Sequence, residues 1–237
     1  MWWHLHRYLG PFHVQRCLSC NEMKVPASGL CEACQIEAVL WPKDFCMWCG
    51  RPIHRIHICN HTNRTKTVSL HISWMYQGSI SNAVVRSKNS KDISAGVGLI
   101  PLLFHAPPAL EWLQGINFII PVPPNPTRLR AFGFDPVCEL SSFLGRLFQI
   151  PVEHRLVHRR GVGAQKEGSR VQRLESAKQM YALGRLPNHL KGKTVLLIDD
   201  VRTSGATTDT LSKMLLEAGI ADVRIWVFSG SAHTPDG

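Results

Sequence analysis

Hydrophobic and polar positions change rhythm along this chain, and the clearest change lies near its end. Val195 to Ile198 is a continuous apolar run entered through the turn Lys191-Gly192-Lys193, which predicts a buried strand from Lys193 to Ile198. Leu211, Met214, Leu215 and Ala218 then recur at helical spacing, and Gly219 supplies the stop. Earlier segments show the same alternation. Val68 to Tyr76 reads as a strand with mixed burial, and Ser79 to Ser87 as a short helix with Ile80, Ala83 and Val84 on one face. Asn117 to Val122 is an apolar strand running into a proline-rich turn. Asp135-Pro136 opens a helix, with Asp135 as the cap, Pro136 preset in the first turn, and Val137, Leu140, Leu144 and Leu147 as the buried stripe. Val223 to Phe228 is a closing strand. Strands alternating with helices predict an α/β fold, a mostly parallel sheet flanked by helices, with binding at the carboxyl ends of its strands.

The first 65 residues break that rhythm. They are rich in Cys, His and Trp with little helical period, as expected of a fold stapled by metal. Asn60 to Lys66 reads as a polar, basic linker, so the expected organisation is a Cys-rich unit at 1–65 and an α/β unit at 66–237. Cys17-x2-Cys20 and Cys31-x2-Cys34 are separated by ten residues, a spacing that lets four thiolates meet on one Zn2+. A second unit holds Cys46, Cys49 and Cys59. A cysteine at position 62 would complete it, but that residue is Thr62; His61 or His57 is a substitute ligand, or the site is degenerate and metal-free. The expectation is one or two structural Zn2+ ions. A disulfide scaffold is the alternative, and no secretion signal supports it. Cys138 lies in a predicted helix as a small packing residue.

The 237 residues carry a formal charge of +10 with a pI near 9.5 and 44% hydrophobic content, which implies a packed globule and suits nucleic acid or a polyphosphate as well as mere solubility. The most apolar stretch, Gly98 to Pro124, is interrupted by prolines, His105 and Glu111, so no membrane insertion is expected, and the N-terminus lacks a signal-peptide pattern. These features together predict a cytoplasmic protein.

The candidate chemistry follows the apolar strand at its end. Asp199 and Asp200 lead into Thr203, Ser204, Gly205, Ala206 and Thr207, which open a helix. Backbone N–H groups and hydroxyls of that loop can converge on a phosphate at the positive end of the helix. The carboxylates beside it suit sugar hydroxyls, which donate to them, and a second phosphate there requires a divalent cation. A P-loop is excluded because no Lys follows the glycine. The run could also be an acid pair at a strand end before an ordinary helix. Arg128 and Arg130 lie in the proline-stiffened segment after the Asn117 strand, a pyrophosphate-binding loop or a solvated crossover. Between His154 and Arg173 lie Arg155, Arg159, Arg160, Lys166, Arg170 and Arg173 with Gly161, Gly163 and Gly168. Such a mobile basic loop can close over a polyphosphate, lie along a nucleic-acid backbone, or stay solvated.

Ile198 to Thr207 resembles the phosphoribosyl pyrophosphate loop of type I phosphoribosyltransferases. With the cysteine knuckles, Pro121-Val122-Pro123, Phe132-Gly133-Phe134-Asp135 and the Gln165-containing basic loop, the chain from 17 to 228 resembles the ComF/GntX family of phosphoribosyltransferase-like proteins. That resemblance implies a type I phosphoribosyltransferase-like sheet behind a double zinc ribbon, a phosphoribosyl pyrophosphate ligand with Mg2+, and a role in natural transformation beside single-stranded DNA and a helicase-like competence ATPase. It places Lys88, Val122, Pro123 and Arg173 as pyrophosphate-binding candidates, which join Arg128, Arg130, Arg159 and Arg160 of the two basic segments. Phe132 and Ser176 stand where the family has arginine and asparagine. No general base is identified, so the alternative to a phosphoribosyltransferase is a non-catalytic module that binds single-stranded DNA and keeps a sensory phosphoribosyl pocket.

Overall fold

The computed structural model describes residues 16–22, 29–46, 68–89, 97–160 and 179–231. Cys49, His57, Cys59, His61, Thr62, Gln165, Arg173 and Ser176 lie outside the described residues. Among those described, the elements run α1 (Glu32–Glu37), β1 (Val68–Met75), α2 (Gly78–Asn89), α3 (Leu99–Leu103), α4 (Leu110–Leu113), β2 (Phe118–Pro121), α5 (Pro126–Phe132), α6 (Pro136–Phe148), β3 (Val157–Arg159), β4 (Tyr181–Leu183), β5 (Thr194–Arg202), α7 (Ala206–Glu217) and β6 (Asp222–Gly230).

The sheet is parallel throughout, in the order β1-β6-β5-β2, so every strand ends at the same edge. Alternation along the strands loads both faces. Leu196 and Ile198 join Trp226 and Phe228 in a core completed by Ile80, Ala83 and Val84 of α2 and Leu140 and Leu144 of α6. Val195 and Leu197 face the other way, with Val223, Ile225 and Val227, onto Leu211 and Leu215 of α7. Burial on both faces explains why the central strands read as unbroken apolar runs. The expected α/β architecture with helices on both faces is what the chain adopts.

Three local features depart from the sequence reading. β5 does not stop at Ile198: β6 extends to Gly230, and its partners Val227, Ser229 and Gly230 carry the ladder past the acids to Arg202. Residues 126–132 form a helix, not a loop. Asn125 caps it through Thr127 N–H, Pro126 sits in its first turn, and Gly133 closes it at φ 80°. The cysteine region contains a helical turn, α1, which its weak period did not announce.

The described residues of the cysteine unit pack against the α/β unit. Cys17, Leu18, Leu30 and Cys34 belong to the same buried cluster as Leu99, Ile80 and Phe228. Residues 39–41 pair with the outer edge of β1, through Trp41 N–H to Ser73 O at 3.0 Å and Met75 N–H to Val39 O at 2.8 Å. Apolar packing and main-chain hydrogen bonds therefore both cross from the cysteine-rich segment into the α/β unit.

Candidate functional site

Because β5 is central and parallel to its neighbours, its carboxyl end opens at the sheet edge where loops can converge. Asp199 and Asp200 are its sixth and seventh residues, and both are only 7% exposed. Alternation points them to opposite sides, and they acquire different partners. Asp199 accepts from the Asp200 N–H at 2.9 Å. Asp200 pairs with Lys88 at 2.8 Å, so a lysine from the last turn of α2 neutralises one acid of the two. Burial, then the charge of Asp200, push the Asp199 carboxyl up to about 8, against the pull of Lys88. A carboxyl in that state exchanges a proton near neutrality.

A second ion pair stands behind the first. Asp135 caps α6, accepting from Val137 N–H at 3.0 Å and Cys138 N–H at 3.2 Å, and pairs with Arg128. Burial raises the Asp135 carboxyl and Arg128 opposes it. Arg128 also donates to the Lys88 carbonyl at 3.3 Å, linking α5 to the end of α2. Arg128 thus braces the acid cluster from a helix, whereas Arg130 is exposed. Val122 is a core residue whose N–H bonds Ile198 O at 2.9 Å, while Pro123 is half-buried at the strand edge. The structure brings Lys88, Arg128, Asp135 and the acid pair together.

After Arg202 the chain turns through Thr203, Ser204 and Gly205 into α7. Gly205 has φ 78° and opens the helix without a side-chain cap. The first N–H groups of α7 therefore face an open cleft lined by Asp199 and residues 201–208. All five loop residues singled out in the sequence, Thr203 to Thr207, line it. Two residues that the sequence reading missed also belong here. Arg202 folds under the turn: it donates to the Thr208 hydroxyl and to Gly205 O, and pairs with Asp209 at 3.1 Å. Tyr181, on β4, is buried beside Thr207, whose side chain favours its ionised form. Burial first, and then Asp199, raise its pKa. The cation-next-to-strand pattern of Arg202 was visible in sequence, but nothing local fixed where its side chain would go.

β3 and β4 pair as an antiparallel ribbon, with Arg159 opposite Tyr181 and its guanidinium 6.0 Å from the ring centroid. Beyond the ribbon Arg160 N–H donates to Met180 O at 2.7 Å. Arg155 and Arg160 are exposed.

On the opposite side of α2, Cys17, Cys20, Cys31 and Cys34 bring their sulfurs within 4.8 Å of one another. Zn–S bonds of about 2.3 Å in a tetrahedron require sulfur separations of roughly 3.8 Å, so these four cysteines are grouped to hold a structural zinc. The Cys20 and Cys31 sulfurs are 3.6 Å apart. Burial pushes the Cys34 thiol up to about 12, whereas at Cys17 burial is outweighed by N–H donors of Cys31, Cys20 and Ser19, which bring it down to about 7. None of the four is in a disulfide. The knuckle touches the helix that carries Lys88: Arg86 donates to Cys17 O at 3.4 Å and to the Asn21 side chain. Cys46 of the second unit is buried. Cys138 has a thiol pushed up to about 12 by burial and by Asp135, as suits a packing residue.

The double zinc ribbon domain family matches residues 9–62. Over 219 residues the chain is 26% identical to competence protein F of Haemophilus influenzae, covering 89% of this chain and 95% of that protein. The likeness thus spans the cysteine unit and the α/β unit together, and supports the ComF-family resemblance. Among the described residues no helix is long and apolar enough to cross a membrane.

Proposed function

From its ComF-like organisation we propose that the chain binds phosphoribosyl pyrophosphate at the carboxyl end of β5, and that it acts in DNA uptake, the setting suggested by the name of its Haemophilus relative. The observation that carries the reading is a buried acid pair continuous with a helix N-terminus whose cap residue, Gly205, has no side chain to cover it. The N–H groups of residues 204–207 and the hydroxyls of Thr203, Ser204 and Thr207 receive the 5-phosphate. Asp199 and Asp200 accept hydrogen bonds from the ribose hydroxyls. Lys88 neutralises Asp200 while the site is empty and offers a cation to the pyrophosphate when it fills. Arg159, over the Tyr181 ring on the paired strand, and Arg160 supply positive charge to the pyrophosphate. Mg2+ arriving with the ligand would supply neutralisation of the pyrophosphate charge.

The test is thermal stabilisation by phosphoribosyl pyrophosphate with Mg2+, followed by pyrophosphate release in the presence of nitrogen bases. Ligand at 100 times its dissociation constant adds about 2.7 kcal/mol of stability. No stabilisation at millimolar ligand defeats the reading, and stabilisation without release identifies a sensor. The exposure of Arg155 and Arg160 favours a second reading for the basic segment alone, a salt-sensitive contact with single-stranded DNA.

A further inference from the structure

We infer that Arg202 is the fixed cation of the phosphate cradle, adding its charge to the amino end of α7 so that the cleft takes a phosphate dianion. The inference rests on the proposed reading of the loop and assigns it one further residue. Arg202 is the last residue of β5, and its side chain does not run out to solvent. It is 5% exposed and lies beneath Thr203 to Gly205, in the wall of the same cleft. Its guanidinium occupies the place where a side chain at position 205 would begin, so a Cβ there collides with it. The position is therefore restricted twice: φ 78° disfavours other residues, and the arginine fills the space. The two residues form one unit, a glycine that lets the cation approach the turn and a cation that supports it.

The chemistry of the partners points to an anion. A guanidinium does not lose its proton in a protein, so burial here is burial of a charge. Removing that charge from water costs several kcal/mol unless it is matched. The charged partner is Asp209, whose side chain is 16% exposed and 3.1 Å away. The other contacts, Gly205 O and the Thr208 hydroxyl, are neutral. An aliphatic side chain would fill the same space and support the same turn without that desolvation cost. A cation is the better choice where an anion is to arrive on the other side of the turn. Lys88 and Arg128 do not substitute for it, because they stand at Asp200 and Asp135, whereas the cleft at the turn is lined by Asp199 and residues 201–208.

The test uses the full-length zinc-loaded protein, with inorganic phosphate and phosphoribosyl pyrophosphate plus Mg2+ as probes, and reads dissociation constants as a function of salt. Arg202→Met is expected to weaken both probes roughly tenfold or more, the usual range for losing one charged hydrogen-bonding partner. Arg202→Lys, which keeps the charge but not the fork, recovers part of the loss. Asp209→Asn is the decisive variant. Releasing the guanidinium from its counter-charge tightens phosphate binding and steepens its salt dependence, whereas a role confined to bracing the turn predicts weaker binding from the same change. If Arg202→Met does not fold, Asp209→Asn still decides: tighter binding supports the assignment, and unchanged or weaker binding overturns it. Wild type that binds neither probe at low salt defeats the phosphoribosyl reading and this inference together. Wild type that binds, with Arg202→Met binding equally well, defeats the Arg202 assignment alone.

Discussion

Replacing Asp199 with Asn is expected to make the empty protein more stable and the ligand weaker, and the size of the first effect follows from the buried acid pair. The folded carboxyl sits at about 8 against an ordinary 3.8, with burial as the main cause and the neighbouring Asp200 charge as the second. A folded pKa above the unfolded one means that the fold holds a proton which the unfolded chain has already released. The stability this confers is complete below about pH 4 and is lost progressively as pH rises through 8. Asn imitates the protonated acid and is insensitive to that loss. Between pH 6 and pH 8 the wild type therefore loses up to two units' worth of linkage, about 3 kcal/mol, that the variant keeps. In a chain of this size that corresponds to roughly 5–10 °C in Tm. The assay is denaturant and thermal unfolding of both proteins, zinc-saturated, at pH 6 and pH 8.5, with the gap widening as pH rises. Phosphoribosyl pyrophosphate with Mg2+ should stabilise wild type and do so far less for the variant. A variant that is less stable than wild type at pH 8.5, or a gap independent of pH, refutes the claim that this acid is buried at a cost for the sake of ligand.

Three further outcomes are expected. Gly205→Val should abolish phosphoribosyl pyrophosphate binding and lower stability by more than 1 kcal/mol, since a branched side chain meets both the left-handed backbone and the Arg202 guanidinium; binding calorimetry with wild-type affinity would contradict this. Elemental analysis should find at least one zinc per chain, and Cys17→Ser or Cys34→Ser should release it. Because Leu18 and Leu30 pack in the same cluster as Leu99 and Phe228, those variants should also lower the melting point of the α/β unit, and an unchanged transition there would show the two parts to be independent. Reversing Arg159 and Arg160 to Glu should weaken phosphoribosyl pyrophosphate and flatten the salt slope of single-stranded DNA binding by about 0.7 per lost phosphate contact; a slope left intact removes these arginines from any DNA contact.

Short-range physics made much of this protein readable from its residues in order. Cys17, Cys20, Cys31 and Cys34 carry metal-ligand spacing that the folded chain satisfies. Asp135-Pro136 states a helix start, because a cap and its N–H partners lie within three residues. Val195 to Thr207 states strand, acids, turn and helix, because each depends on neighbours only a few positions away. Asn125-Pro126 carried the same start signal and was read as loop, since the prolines around it dominate the composition; the structure resolves it as α5.

Tertiary structure decided whatever depends on residues distant in sequence. Lys88 reaches Asp200 because α2 ends over the carboxyl edge of β5, and no local rule couples positions so far apart. The final strand lies between β1 and β5, which extends β5 past its acids and leaves β1 at an edge for residues 39–41. Tyr181 meets Thr207 only once β3 and β4 have paired beside α7. Propensity, capping and ligand spacing are properties of a few consecutive residues, and a sequence displays them directly. The burial of Asp199, the direction of Arg202 and the core shared with the zinc knuckle are set by which surfaces the folded sheet brings together. The cost of burying a charge depends on its final neighbours, so these energies exist only in the assembled fold.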